Sequence, residues 1–175
     1  SVAVITLTTD FGLRDPFVAE MKGVILGLAP DVRLVDVTHE LPAHDIPFAA
    51  RELAATYRFF PPGTIFLVVV DPGVGSARRG LAAEAGDWRF IAPDNGVLSS
   101  VLDGGEVFHI NNESLFRNPV SHTFHGRDIF APTAAHIARG TPIESVGERI
   151  TDFVKKQRPK TAVLLSGILN LVGAF

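Results

Sequence analysis

The order of apolar segments in the first seventy residues constrains this chain more than any other feature. Residues 2–9 form a β-branched run, the pattern of a strand covered on both faces. Asp15 and Pro16 then carry the signals of an N-cap and first helical position. Phe17, Met21, Val24, Ile25 and Leu28 follow at helical spacing and predict that helix's apolar face. A second strand is expected over 32–37. A second helix begins at Asp45 and Pro47, with Ile46, Ala49, Ala50, Leu53 and Tyr57 inward. After the turn Pro61-Pro62-Gly63, residues 64–70 give the strongest strand pattern in the chain. Strand, helix, strand, helix, strand implies βαβ units. The expected fold class is therefore α/β, with a mainly parallel open sheet flanked by helices.

The remainder reads as shorter strands over 81–84, 90–92 and 107–110. A late helix over 128–139 is closed by Gly140. The character changes after Ile150: Lys155, Lys156, Arg158 and Lys160 surround Pro159 as a surface connector. The apolar run 162–175, with Ser166 and Asn170 inside it, is too short to span a bilayer comfortably and reads as a buried terminal element or a surface for a partner. We divide the chain into an α/β catalytic domain over 1–150 and a connector with an apolar segment over 151–175.

Composition excludes several function classes. A formal charge of −3, with both signs scattered, provides no basic stripe for nucleic acid. No cysteine is present, so disulfides, thiolate catalysis and cysteine-bound metals are ruled out. No basic region leads an apolar stretch at the N-terminus, so no signal peptide is visible, and a cytoplasmic protein is expected.

In open parallel sheets, ligands bind beyond the carboxyl ends of the strands. Polar clusters fall at such ends: TTDFG at 8–12, DPGVG at 71–75 with Arg78 and Arg79 behind it, and APDNG at 92–96. A fourth, TFHGRD at 123–128, opens the late helix. Each has an ordinary reading beside the functional one. Asp10 can cap a turn before Gly12, Asp71-Pro-Gly and Asp94-Asn95-Gly96 are good turn sequences, and His125 can be a capping or core residue. Gly73 and Gly75 would let the backbone approach a ligand closely. His39 and His44 flank a proline-containing loop and read as surface residues, while His109 and His136 read as structural. A metal site is the main competing chemistry. His122 and His125 have H-x-x-H spacing, with Asp128 three residues on, and Asp10 or Asp71 could complete the ligand set.

Taken together, five segments in order, TLTTDFG (6–12), DVTHELPAHDI (36–46), FFPPGTIFLVVVDPGVGSARRG (59–80), FIAPDNGVLS (90–99) and TFHGRDIFAPTAAHIARG (123–140), resemble the S-adenosylmethionine hydroxide adenosyltransferase family, relatives of fluorinase and chlorinase. The resemblance implies a catalytic set of Asp71, Arg78 and His125, with Arg79 as the alternative if the register slips by one. It implies substrate-binding roles for Asp10 at the ribose hydroxyls, His44 beside the substrate, and Asn95. The halogenating relatives have tyrosine at the position of Asp71, and fluorinase has serine at that of Gly126. At both positions this sequence resembles the branch that uses water. The implied activity is hydrolysis of S-adenosyl-L-methionine to adenosine and L-methionine, without metal or other cofactor. The family also has a C-terminal β-barrel domain and forms homotrimers with substrate between subunits. That barrel is expected to be largely absent here, where Gly167 to Asn170 is at best a faint echo of its motif. Two other classes stay open: metal-dependent hydrolysis through His and Asp, and a non-catalytic module that binds adenosine or S-adenosylmethionine.

Overall fold

The computed structural model describes residues 2–155. Strand β1 (Val4–Thr9) leads into helix α1 (Phe17–Leu28), strand β2 (Arg33–Thr38), helix α2 (Ile46–Thr56) and strand β3 (Ile65–Val69). Then come β4 (Gly80–Ala85), β5 (Trp88–Pro93), β6 (Glu106–His109), α3 (Ala131–Ala138) and β7 (Arg149–Ile150). The strands form one sheet in the order β2-β1-β3-β5-β4-β6-β7. The open α/β sheet expected from the sequence is present, and it is mixed. Pairings β2-β1, β1-β3 and β3-β5 are parallel, while β5-β4, β4-β6 and β6-β7 are antiparallel. The antiparallel half arises because β4 and β5 are joined by a tight hairpin around Gly86 (φ 59°), too short for a crossover.

Alternation along β3 organises both cores. Ile65, Leu67 and Val69 face one apolar cluster with Met21, Ile25, Phe130, Ala134 and Ile137; Phe66, Val68 and Val70 face another with Ala49, Leu53, Tyr57, Phe90 and Leu98. Helices α1 and α3 thus cover one face and α2 the other, so β3 is buried throughout. Gly80 is required where β4 begins, since a Cβ there would come within 2.7 Å of the Phe130 ring.

Several local expectations are corrected. Asp15 does not cap α1. Pro16 occupies the N-cap position without a side-chain cap, and its carbonyl accepts the first helical N–H, from Glu20. Helix α1 buries Val18, Met21 and Ile25, whereas Phe17 is left 42% exposed and meets Phe11 and Phe124 edge-on. The late helix starts earlier than expected, as a π-helical turn over Gly126–Phe130. Asp128 lies inside that turn and is fully buried. Strand β7, of two residues, was too short to carry a sequence signal. The connector expected after Ile150 is described only to Lys155, and the apolar run 162–175 lies outside the described residues. Up to that point the chain remains tied to the sheet. Val154 N–H donates to Asp94 Oδ1 at 2.8 Å, and Arg79 Nη1 donates to Asp152 Oδ1 at 2.9 Å.

Asp45 does cap α2, accepting the Phe48 N–H at 3.0 Å. Asp45→Ala should therefore cost about 1 kcal/mol in urea unfolding, and Asp15→Ala less than about 0.5 kcal/mol. Equal losses would contradict the difference between the two helix starts.

Candidate active site

The chain doubles back at β1. Its neighbour β2 is reached through α1 on one face and β3 through α2 on the other, which makes the β1/β3 boundary the switch point of the parallel half. Thr9 pairs with Val69 there, so Asp10 and Asp71 emerge side by side just past the strand ends. A crevice of about 270 Å³ opens at this place. Asp10, His44, Asp71, Phe124, His125 and Gly126 are among the residues that line it.

The loop after β3 explains why an arginine seven residues on belongs to the site. Val74 N–H donates to the Asp71 carbonyl and Ser76 N–H to the Gly73 carbonyl, two successive turns that fold Arg78 back over Asp71. Arg78 Nε donates to Asp71 Oδ1 at 2.9 Å and Nη2 donates to Oδ2, a two-pronged grip. The same Nη2 donates to His125 Nδ1 at 2.9 Å. The guanidinium also lies over the Phe130 ring, 5.2 Å from its centre. The Asp71 side chain is only 5% exposed and that of Arg78 12%. Gly75 allows this loop to reach its neighbour. It has φ 79°, and a Cβ there would sit 2.4 Å from the His122 carbonyl oxygen. The close approach seen for Gly75 is to the loop that carries His122.

Arginine only donates, so His125 Nδ1 must accept. The imidazole is therefore neutral in this arrangement and carries its proton on Nε2. Burial lowers the His125 pKa below its ordinary value and the Arg78 charge lowers it further, with Asp71 pulling weakly the other way.

Asp10 and His44 meet across the crevice: the His44 N–H donates to Asp10 Oδ2 at 2.7 Å, with His44 held at φ 59°. Asn95 is not among the lining residues. Its Nδ2 donates to the Val70 carbonyl at 2.8 Å and its Oδ1 accepts the Val97 N–H at 3.1 Å, so it fastens the chain immediately before Asp71. Arg79 points away, to Asp94 and Asp152, and leaves Arg78 as the arginine of the cluster. The H-x-x-H alternative does not assemble. The Asp128 oxygens are taken by Arg127, Arg117 and the Ser121 N–H. Among the described residues no group of three or more His, Asp and Glu is placed to share a metal ion.

Sequence reasoning missed Val69 in the lining and gave Phe11 and Thr123 no role of their own, because apolar and hydroxyl side chains carry no chemical signature. It also read His39 as a surface residue. His39 is only 3% exposed, with both ring nitrogens hydrogen-bonded. The signal was present in Asp36 and His39, three residues apart where β2 ends.

This fold and site define a class. Residues 5–147 match the model of the SAM hydroxide adenosyltransferase N-terminal domain, and the chain belongs to that family. An (R)-S-adenosyl-L-methionine hydrolase of Salinispora tropica is 44% identical over 150 residues, covering 83% of this chain and 57% of the relative. A fluorinase of an Actinoplanes species is 30% identical over 195 residues, covering 95% of this chain and 65% of the relative. The crystal structure of an uncharacterized conserved protein from Thermotoga maritima superposes with a TM-score of 0.86 at 42% identity, covering 89% of this chain and 62% of that one. The chain thus spans little more than half the length of the hydrolase it matches.

The lowered pKa of His125 has a measurable consequence. In an NMR titration its imidazole should gain a proton only below the ordinary value of 6.5. The neutral form, and with it the Arg78 bond, is then complete at neutral pH and lost as pH falls through the lowered value. Arg78→Gln should move the midpoint upward. A wild-type midpoint at or above 6.5 would contradict the arrangement.

Proposed function

We propose that this chain carries the catalytic half of an enzyme that hydrolyses S-adenosyl-L-methionine to adenosine and L-methionine. The observation that carries the reading is a single arginine, Arg78, gripping Asp71 and His125 together at the switch-point crevice. The names of the hydrolase relatives support it.

The chemistry follows from the substrate. A water oxygen attacks C5′, the C5′–S bond breaks, and its electron pair returns to sulfur as the neutral methionine thioether. The leaving group needs no acid and the reaction needs no cofactor. What is needed is a water held in line in a site that excludes other solvent. Asp71 is the acceptor for the water proton, because His125 already accepts from Arg78 at Nδ1 and is protonated at Nε2. His125 Nε2–H orients the water by donating to it. Arg78 aims the carboxylate and stabilises hydroxide character as it develops. Asp10 holds the ribose hydroxyls and His44 packs beside the substrate. Asn95 acts through the chain, by fixing the Val70 carbonyl before Asp71.

Water is favoured over halide because the crevice presents a carboxylate, which repels an anion, and Gly126, which has no hydroxyl to offer one. The lining residues include no lysine or arginine for the methionine carboxylate. This supports a contribution from outside residues 2–155, such as the second domain of a neighbouring subunit in a homotrimer. The partner is a small molecule, with neither nucleic acid nor membrane involved, and the proposed location is the cytoplasm. Among the described residues no helix is long and apolar enough to cross a membrane.

Incubation with S-adenosylmethionine and a chelator, followed by chromatography, should yield adenosine and methionine. 5′-Chloro- or 5′-fluoroadenosine as the main product at physiological halide would overturn the reading. Asp71→Asn and His125→Ala should each lower kcat by about 10²–10⁴ with little change in substrate affinity. Asp10→Ala should instead weaken binding, since the ribose is held alike before and during reaction. Wild-type turnover in Asp71→Asn would remove the carboxylate from its role.

A further inference from the structure

Asp10 follows the last residue of β1, where the ladder no longer holds the chain. What holds it is His39. The His39 Nδ1 is 2.8 Å from Thr9 Oγ1, one residue before Asp10, and the His39 carbonyl accepts the Gly12 N–H at 2.7 Å, two residues after it. On its other side His39 Nε2 lies 2.7 Å from Asp36 Oδ1, while Lys22 Nζ donates to Asp36 Oδ2 at 2.6 Å. A carboxylate only accepts, so His39 donates at Nε2; in the neutral ring Nδ1 then accepts the hydrogen bond of the Thr9 hydroxyl. The Thr9 oxygen is then free to accept the Phe11 N–H, which it does at 3.2 Å. Burial would raise the Asp36 pKa, but hydrogen bonds from Lys22 and His39 outweigh it and hold the group lowered, as an anion at neutral pH. Thr9 is fully buried and His39 nearly so. A buried imidazole is costly unless both nitrogens are satisfied, and here each is satisfied by a group that leads toward or away from Asp10.

We propose that His39, acting through the Thr9 hydroxyl, is the positioning residue that fixes the Asp10 carboxylate for reading a vicinal diol. The inference rests on the assignment of Asp10 to the ribose hydroxyls made above. His44 occupies one lone pair of Asp10 Oδ2, and Oδ1 has no hydrogen bond among the described residues, so the carboxylate has acceptors left for two hydroxyls. A carboxylate selects a diol only if its two oxygens are held at fixed height and tilt, and the chain from Lys22 through Asp36, His39 and Thr9 supplies that constraint from α1 and β2.

The test compares adenosine with 2′,3′-dideoxyadenosine by calorimetry on the full chain. A residue that only supported the fold would weaken both ligands alike; one that aims Asp10 affects only the ligand with the diol. Thr9→Val and His39→Leu should each cut the preference for adenosine by about tenfold and leave the dideoxy affinity unchanged. Thr9→Ser keeps the hydroxyl and should keep the wild-type ratio, which holds the test open should His39→Leu fail to fold. An unchanged ratio in Thr9→Val, or parallel loss of both ligands, would overturn the proposal. Asp10→Ala separates the two layers. If it leaves the ratio intact, the ribose assignment falls and the proposal with it. If it lowers the ratio while Thr9→Val does not, the assignment stands and only the His39 relay falls.

Discussion

Strand β3 is covered on both faces, and its burial is the constraint from which the site follows. Six successive apolar residues, Ile65 to Val70, alternate between two cores and are at most 2% exposed. A strand fixed this firmly ends at a fixed point. Asp71, two residues beyond the strand, inherits that precision without contributing to the core. The same holds for β1, whose register against β3 brings Asp10 to the same edge. A one-residue slip in either strand would exchange the two cores' side chains, so the spacing of the two carboxylates is protected by the whole hydrophobic pattern.

The charged cluster at that edge is expensive to build. Removing a carboxylate and a guanidinium from water costs several kcal/mol each, and attraction offsets this only with good geometry and further hydrogen bonds. Arg78 meets both conditions, through two bonds to Asp71, one to His125 and a face against Phe130. Such a cluster is weak evidence for stability and better evidence for function. A well-packed apolar group would serve the fold as well, but it could not orient a water.

The parallel half of the sheet was legible because fully buried strands write themselves as unbroken β-branched runs and α2 carried its cap and its apolar face. Asp71, Arg78, Asp10 and His125 were legible as polar clusters at strand ends, and the structure brings them together. What escaped had physical reasons. The π-helical turn has no signature distinct from an α-helical start, so Asp128 looked like an accessible ligand rather than a buried anchor. Asn95 carried no sign that its amide bonds the Val70 carbonyl and the Val97 N–H behind the crevice, a pairing set by the fold. His39 looked exposed because its partner Thr9 is distant in sequence and meets it only in the folded sheet.

The two carboxylates at the crevice divide the work by what surrounds them. Asp71 is gripped on both oxygens by a cation that also holds His125. Among the described residues Asp10 accepts a single hydrogen bond, from the His44 N–H, which leaves acceptors available to hydroxyl donors. On the proposed reading, Arg78 offsets the Asp71 charge, while Asp10 keeps an uncompensated carboxylate for the ribose. On that reading Asp71 accepts a proton only as water attacks, so its interaction strengthens in the transition state rather than in the bound substrate.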